Sequence, residues 1–161
     1  MIARPRTLHL GEVRLGAGVL LTVLALAVAS ALLHATLLLA PFAATAALKH
    51  ASPHGPLARP RNVIGGYLVG ASVGLAIGLI APGDDLGAAV GAALAATLMA
   101  RLDVDHPPAV AMTVLAVQTP VPWILQAAAG GALLMTASMV VFTPLVHRRP
   151  YPAGVSGRTG R

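Results

Sequence analysis

Charged residues fall at wide intervals along this chain and cut it into apolar segments. No Asp, Glu, Lys or Arg occurs between Arg14 and Lys49, between Arg61 and Asp84, between Asp85 and Arg101, or between Asp105 and Arg148. A membrane crossing needs about 20 apolar residues rising ~1.5 Å each. The segment after Arg61 is therefore one crossing, and the segment after Asp85 is a short one that Arg101 can lengthen by snorkelling to the interface. The first and last segments are each too long for one crossing and too short for two.

Prolines divide those two long segments. A helix from about Gly16 to Leu39 should stop near Pro41, because proline disfavours helix in the residue before it and removes a backbone donor. A short piece, Phe42 to Leu48, follows. In the last segment Pro107-Pro108 opens a short piece, Ala109 to Gln118, which ends at Pro120-Val121-Pro122 before a long helix from Trp123 to about Val146. The predicted fold is an all-α polytopic membrane helix bundle of four long transmembrane helices plus two short half-helices. Both halves have the same order, which is compatible with an inverted 3+3 repeat.

Charge placement gives the expected topology. Residues 1–14 form a cytoplasmic N-terminal segment, 15–147 the transmembrane domain and 148–161 a basic, flexible cytoplasmic tail. Arg4, Arg6, Arg14, Lys49, Arg59, Arg61, Arg101, Arg148 and Arg149 all prefer the cytoplasm, and the Pro82-Gly83-Asp84-Asp85 turn then lies outside. Satisfying every assignment requires both short pieces to traverse the membrane. The rival layout has four crossings and two re-entrant pieces, and puts Lys49, Arg59 and Arg61 outside. The first apolar stretch reads as a retained anchor rather than a cleaved signal, because equally apolar stretches follow it. The expected location is the cell membrane.

Composition narrows the function classes. Of 161 residues 57% are hydrophobic and 10% charged, the reverse of a soluble domain. The net charge of +6 accompanies only 3% aromatic residues, which leaves little for nucleic-acid stacking. Topology accounts for the basic excess without an anionic macromolecule. With no cysteine, thiolate metal sites, disulfides and cysteine nucleophiles are excluded.

Gly66, Gly70, Gly74 and Gly78 line one helix face at a spacing of four, so another helix can approach closely there. Gly87, Gly91 and Ala95 extend the pattern, which predicts a tight hairpin about the acidic turn and offers glycine-lined faces for a homo-oligomer.

The densest polar cluster is Arg101-Leu-Asp-Val-Asp-His-Pro-Pro108. Polar groups at such a break line protein or water rather than lipid. The helix start at Pro107, Pro108 and Ala109 presents amides and a partial positive charge, and so does the start near Thr45. If the two short helices meet, Thr45 offers a hydroxyl and His106 a titratable proton to a small anion. Asn62 can cap the helix expected near Val63. His34 falls within the first helix, as a hydrogen-bonded core imidazole or a proton relay. His50 and His54 have metal spacing but Pro53 between them, so no metal site is expected. Gln118 and Gln126 flank the second proline break. No catalytic triad or phosphate loop is present, and Asp103, Asp105 and His106 lack a second convergent group for acid-base work.

Three motifs occur in order: Pro41-Phe42-Ala-Ala-Thr45-Ala-Ala-Leu-Lys49, Pro56-Leu-Ala-Arg-Pro60-Arg-Asn-Val-Ile-Gly-Gly66 and His106-Pro-Pro-Ala109. Together they resemble the HPP family of integral membrane proteins, over about Leu15 to Val146. The resemblance implies four transmembrane helices, and transport of nitrite or a similar small anion, as associated with chloroplast and cyanobacterial members. This chain has Ala43-Ala44-Thr45-Ala46 where the family often has Gly-Ala-Ser-Ala, and Val110 where glycine often follows.

The expected function is a transporter or channel for a small anion, with Thr45, Asn62, His106, Pro107, Pro108 and Ala109 as the site. No cofactor, metal or catalytic residue is expected, and the bilayer and the anion are the expected partners. A non-transporting membrane scaffold is the rival.

Overall fold

The computed structural model describes residues 9–34, 39–147 and 151. Arg4, Arg6, Arg148, Arg149 and most of the predicted tail lie outside the described residues. Among the described residues the secondary structure is entirely helical: α1 (Leu10–Leu32), α2 (Ala40–Ala51), α3 (Pro60–Ile80), α4 (Asp85–Arg101), α5 (Pro107–Gln118) and α6 (Trp123–His147), with a 3-10 turn at Pro56–Ala58. α1, α3, α4 and α6 have 23, 21, 17 and 25 residues, and α2 and α5 have 12 each.

The helix starts follow from the sequence. Pro41, Pro60 and Pro107 occupy the first positions of α2, α3 and α5, where no intrahelical donor is needed. Asp84 caps α4 by accepting from the Gly87 amide. The turn before it requires Gly83, whose φ is +72°.

α1 differs from expectation. It runs from Leu10 to Leu32 rather than from Gly16 to Leu39, and His34 stands beyond its end with φ +47° and an exposed side chain. His34 is therefore neither a core imidazole nor a relay within a helix.

α3 and α5 run side by side in the same direction. Gly66 lies against Val104, His106 and Ala109, and Gly70 against the Ala109 carbonyl. Gly74 meets the Thr113 carbonyl, and Gly78 the Ala116 carbonyl and Pro120. At one end of this pair Arg61 donates to Asp103 and to the Leu102 carbonyl, both at 2.9 Å. At the other, the Gly83 amide donates to the Val117 carbonyl at 3.1 Å and Gln118 Nε2 to Asp85 Oδ1 at 2.9 Å. α5 thus passes from the Arg61 end of the bundle to the Asp85 end.

α2 and α6 also share a direction, since Phe42 fits against Gly131 and Lys49 reaches the Met135 carbonyl one turn further on. The chain after α6 returns to the Arg61 end, where the Tyr151 hydroxyl donates to the Ala58 carbonyl at 2.6 Å. α3 packs on α4, α5 and α6; α1 on α2 and α6; α4 on α5; and α2 on α5 and α6.

The glycine stripe corrects two expectations. Its partner is α5, not the next helix of the α3–α4 hairpin. Because Gly66, Gly70, Gly74 and Gly78 are all buried against α5, this face is not open to a second copy of the chain. α4 does pack on α3, but through Gly87 and Gly91 against Ile77.

The outside is apolar. Leu20, Leu24, Val28, Leu79, Ile80, Leu86, Val90, Leu133, Val141 and Leu145 are exposed, whereas Thr22, Thr45, Lys49, His50, Asn62, His106 and Thr113 are buried. Water would not tolerate that distribution at such density, and lipid would. α1, α3 and α6, the last as Trp123–Val146, are long and apolar enough to cross a membrane.

Candidate functional site

The interior between α2, α3 and the start of α5 holds a hydrogen-bonded chain. Thr45, in the second turn of α2, lies 2.8 Å from His106 Nε2 and 2.7 Å from the Tyr67 hydroxyl. The other ring nitrogen, His106 Nδ1, is 2.9 Å from the Leu57 carbonyl. All three side chains are at most 1% exposed.

Donor and acceptor roles can be assigned from the ends inward. The Leu57 carbonyl can only accept, so Nδ1 carries a proton. In a neutral ring Nε2 then accepts from the Thr45 hydroxyl, and Thr45 Oγ1 accepts from Tyr67. When the ring is protonated, Nε2–H donates to Thr45, which then donates to Tyr67. The chain reverses its direction with a single proton. Aromatic packing fixes the geometry: the Tyr67 centroid is 5.4 Å from the His106 ring and 4.7 Å from Phe42.

The loop before α5 is held by neighbours. Asn62 Nδ2 donates to the Asp105 carbonyl at 3.0 Å. Asn62 is not the cap of α3, which begins at Pro60 with Arg59 as its N-cap; its side chain instead ties the residue before His106 to α3. Asp103 pairs with Arg61 at an exposed position, which contributes about 0–1 kcal/mol.

The predicted site residues separate into two groups. Thr45 and His106 meet directly, and Asn62 acts through Asp105. Pro107 is exposed and Pro108 half-buried, and neither has an amide proton. Ala109 is buried against Gly66, and its amide donates to the His106 carbonyl at 2.8 Å. The start of α5 therefore presents the imidazole to α2, not a row of free amides. Phe42 at the start of α2 likewise spends its amide on the Leu39 carbonyl at 3.0 Å.

Sequence reading missed Tyr67, the Leu57 carbonyl and Lys49. A lone tyrosine in an otherwise aliphatic helix was a usable signal. Lys49 read as a topological charge, but it is fully buried. A second pair, Thr22 Oγ1 and His50 Nε2 at 2.9 Å, joins α1 to α2. No group of three or more His, Cys, Asp or Glu side chains suited to a metal occurs among the described residues.

Apolar-surfaced helices packed about buried hydroxyl, imidazole and ammonium groups define a multi-pass helical membrane protein. The chain matches the family model described as HPP, transmembrane region, over residues 4–152, and it belongs to the HPP family. No curated protein and no solved structure matches it.

Proposed function

We propose that the protein carries a small anion, nitrite or one like it, across the cell membrane, through a site between the two proline-started short helices. The observation that carries this reading is the contact of Thr45 on α2 with His106 at the start of α5, sealed within a bundle whose exterior suits lipid. Buried ionisable groups at membrane depth mark ion or substrate paths, and an imidazole linked to two hydroxyls offers a proton to couple to that path. Nitrite itself comes from the family resemblance.

The packing supports six transits rather than four. Lys49, Arg59, Arg61 and Arg101 gather toward one end of the bundle and Asp84 and Asp85 at the other, which favours a cytoplasmic Arg61 end and cytoplasmic termini. Exchanging α1 with α4, α2 with α5 and α3 with α6 turns the set of packed helix pairs into itself. That invariance supports an inverted repeat of four long and two short helices. The scaffold reading loses ground because the glycine face of α3 is filled by α5 and Gly87 and Gly91 of α4 lie against Ile77. An enzymatic role is disfavoured, since Asp103 is turned to Arg61 and both ring nitrogens of His106 are taken by Thr45 and the Leu57 carbonyl.

Nitrite uptake into proteoliposomes, with and without a pH gradient, tests the proposal. Uptake by the wild type should respond to the gradient and should be lost in His106→Ala. Absence of uptake for nitrite, nitrate and formate alike would overturn it.

A further inference from the structure

The buried face of α2 carries a polar group that the Tyr67–Thr45–His106 chain does not use. Lys49 lies one turn beyond Thr45 on the same face, and its relative exposure is 0%. An ammonium has three N–H donors. Among the described residues its one hydrogen-bond acceptor is the Met135 carbonyl at 3.4 Å, at the long limit for such a bond. That carbonyl also accepts from Ser138 Oγ at 2.9 Å, so Lys49 is its weaker claimant. The Tyr151 ring, with its centroid 5.1 Å from Nζ, adds a cation–π contact.

Among the described residues no carboxylate pairs with this lysine. The one salt bridge among the described residues joins Arg61 to Asp103 at the surface. A lysine in the last turn of a helix is favoured by the C-terminal carbonyls, which accounts for the residue type but applies equally to a solvated side chain. It does not account for complete burial of a charge with one distant acceptor, an arrangement that costs several kcal/mol unless a counter-charge is supplied.

We propose that Lys49 is the fixed positive charge of an anion-binding site inside the bundle, and that the site takes a small monovalent anion. One fixed charge matches one negative charge, and among the described residues no other lysine or arginine is buried. The inference deepens the transport reading and rests on it for the ligand's class.

The test uses the full chain purified in detergent. Thermal unfolding is followed in sodium nitrite, nitrate or formate, against sodium gluconate at equal ionic strength, for the wild type, Lys49→Met and Lys49→Arg. Exchange of a buried charge for an apolar side chain of similar length is commonly neutral or stabilising, so Lys49→Met should fold. The wild type should gain a dose-dependent rise in Tm from the small anions, Lys49→Met should lose it, and Lys49→Arg should keep part of it. Uptake in proteoliposomes should fall by at least about tenfold in Lys49→Met, the scale of losing a hydrogen bond to a charged group. An equal rise in wild type and Lys49→Met, or no rise with any anion, overturns the site. Uptake undiminished in Lys49→Met overturns it while leaving transport in place, and a Lys49-dependent rise without uptake keeps the site and overturns the transport reading alone.

Discussion

α5 against α3 and α2 against α6 occupy equivalent places if the two halves of the chain are exchanged, yet they are packed by opposite means. On α3, four glycines bring backbone to backbone, so that the carbonyls of Ala109, Thr113 and Ala116 lie where side chains would otherwise begin. On α6, Gly131 receives the tip of the Phe42 ring, and one turn on the long side chain of Lys49 bridges to the Met135 carbonyl. The first contact is set by main chain and leaves no room. The second is set by side chains, and its spacing can respond to what lies between them. A rigid contact and an adjustable one would suit the transport role proposed above, in which a path is held and also opened.

Breaking the main-chain contact should have the largest effect. In Gly74→Leu the new Cβ meets the Thr113 carbonyl, which cannot swing aside as a side chain can. A cost of about 3 kcal/mol or more is expected, seen as loss of a monodisperse peak in size-exclusion chromatography. Gly131→Ala sharpens the comparison: its Cβ meets only the end of the Phe42 ring, so the variant should remain folded and unfold at a higher temperature than Gly74→Ala. Survival of Gly74→Ala with less damage than Gly131→Ala would reverse the comparison.

A smaller effect is expected in Thr45→Val, which removes the hydroxyl between His106 and Tyr67 and strands two buried polar atoms. The cost should be about 1–3 kcal/mol in thermal unfolding, and the response of uptake to a pH gradient should weaken, because the hydroxyl that relays the ring's proton state is gone. The smallest belongs to Arg61→Ala. Its partner Asp103 is 84% exposed, and a change within about 1 kcal/mol is expected.

Much of the helix plan was legible because prolines and charges punctuate the chain. Asp85 and Arg101 delimit α4 as read, and Pro107-Pro108 and Pro120 delimit α5 and the start of α6. α1 was misplaced because nothing in its aliphatic run marks a stop: Leu33 closes the helix through its own amide to the Ala29 carbonyl, with neither glycine nor proline to announce it. The glycine stripe on α3 was visible, but its partner was not, since a spacing of four says that a helix can approach closely and not which one. Thr45 and His106 stood out by their place beside the proline breaks. Tyr67 is marked only as a lone tyrosine and Lys49 not at all, because their partners depend on how α2 is rotated against α3 and α6, a register that no local pattern encodes.

The brevity of α2 and α5 has an electrical consequence. At 12 residues each, they are about 18 Å long, against a hydrocarbon layer of about 30 Å. If water reached their ends in the proposed orientation, the membrane voltage would fall across this shorter stretch. An elementary charge moved across the full potential exchanges about 2.3 kcal/mol per 100 mV. An anion on the proposed path would then exchange that energy over about 18 Å rather than about 30 Å, which would make its rate of passage sensitive to voltage even though no charged helix has to move.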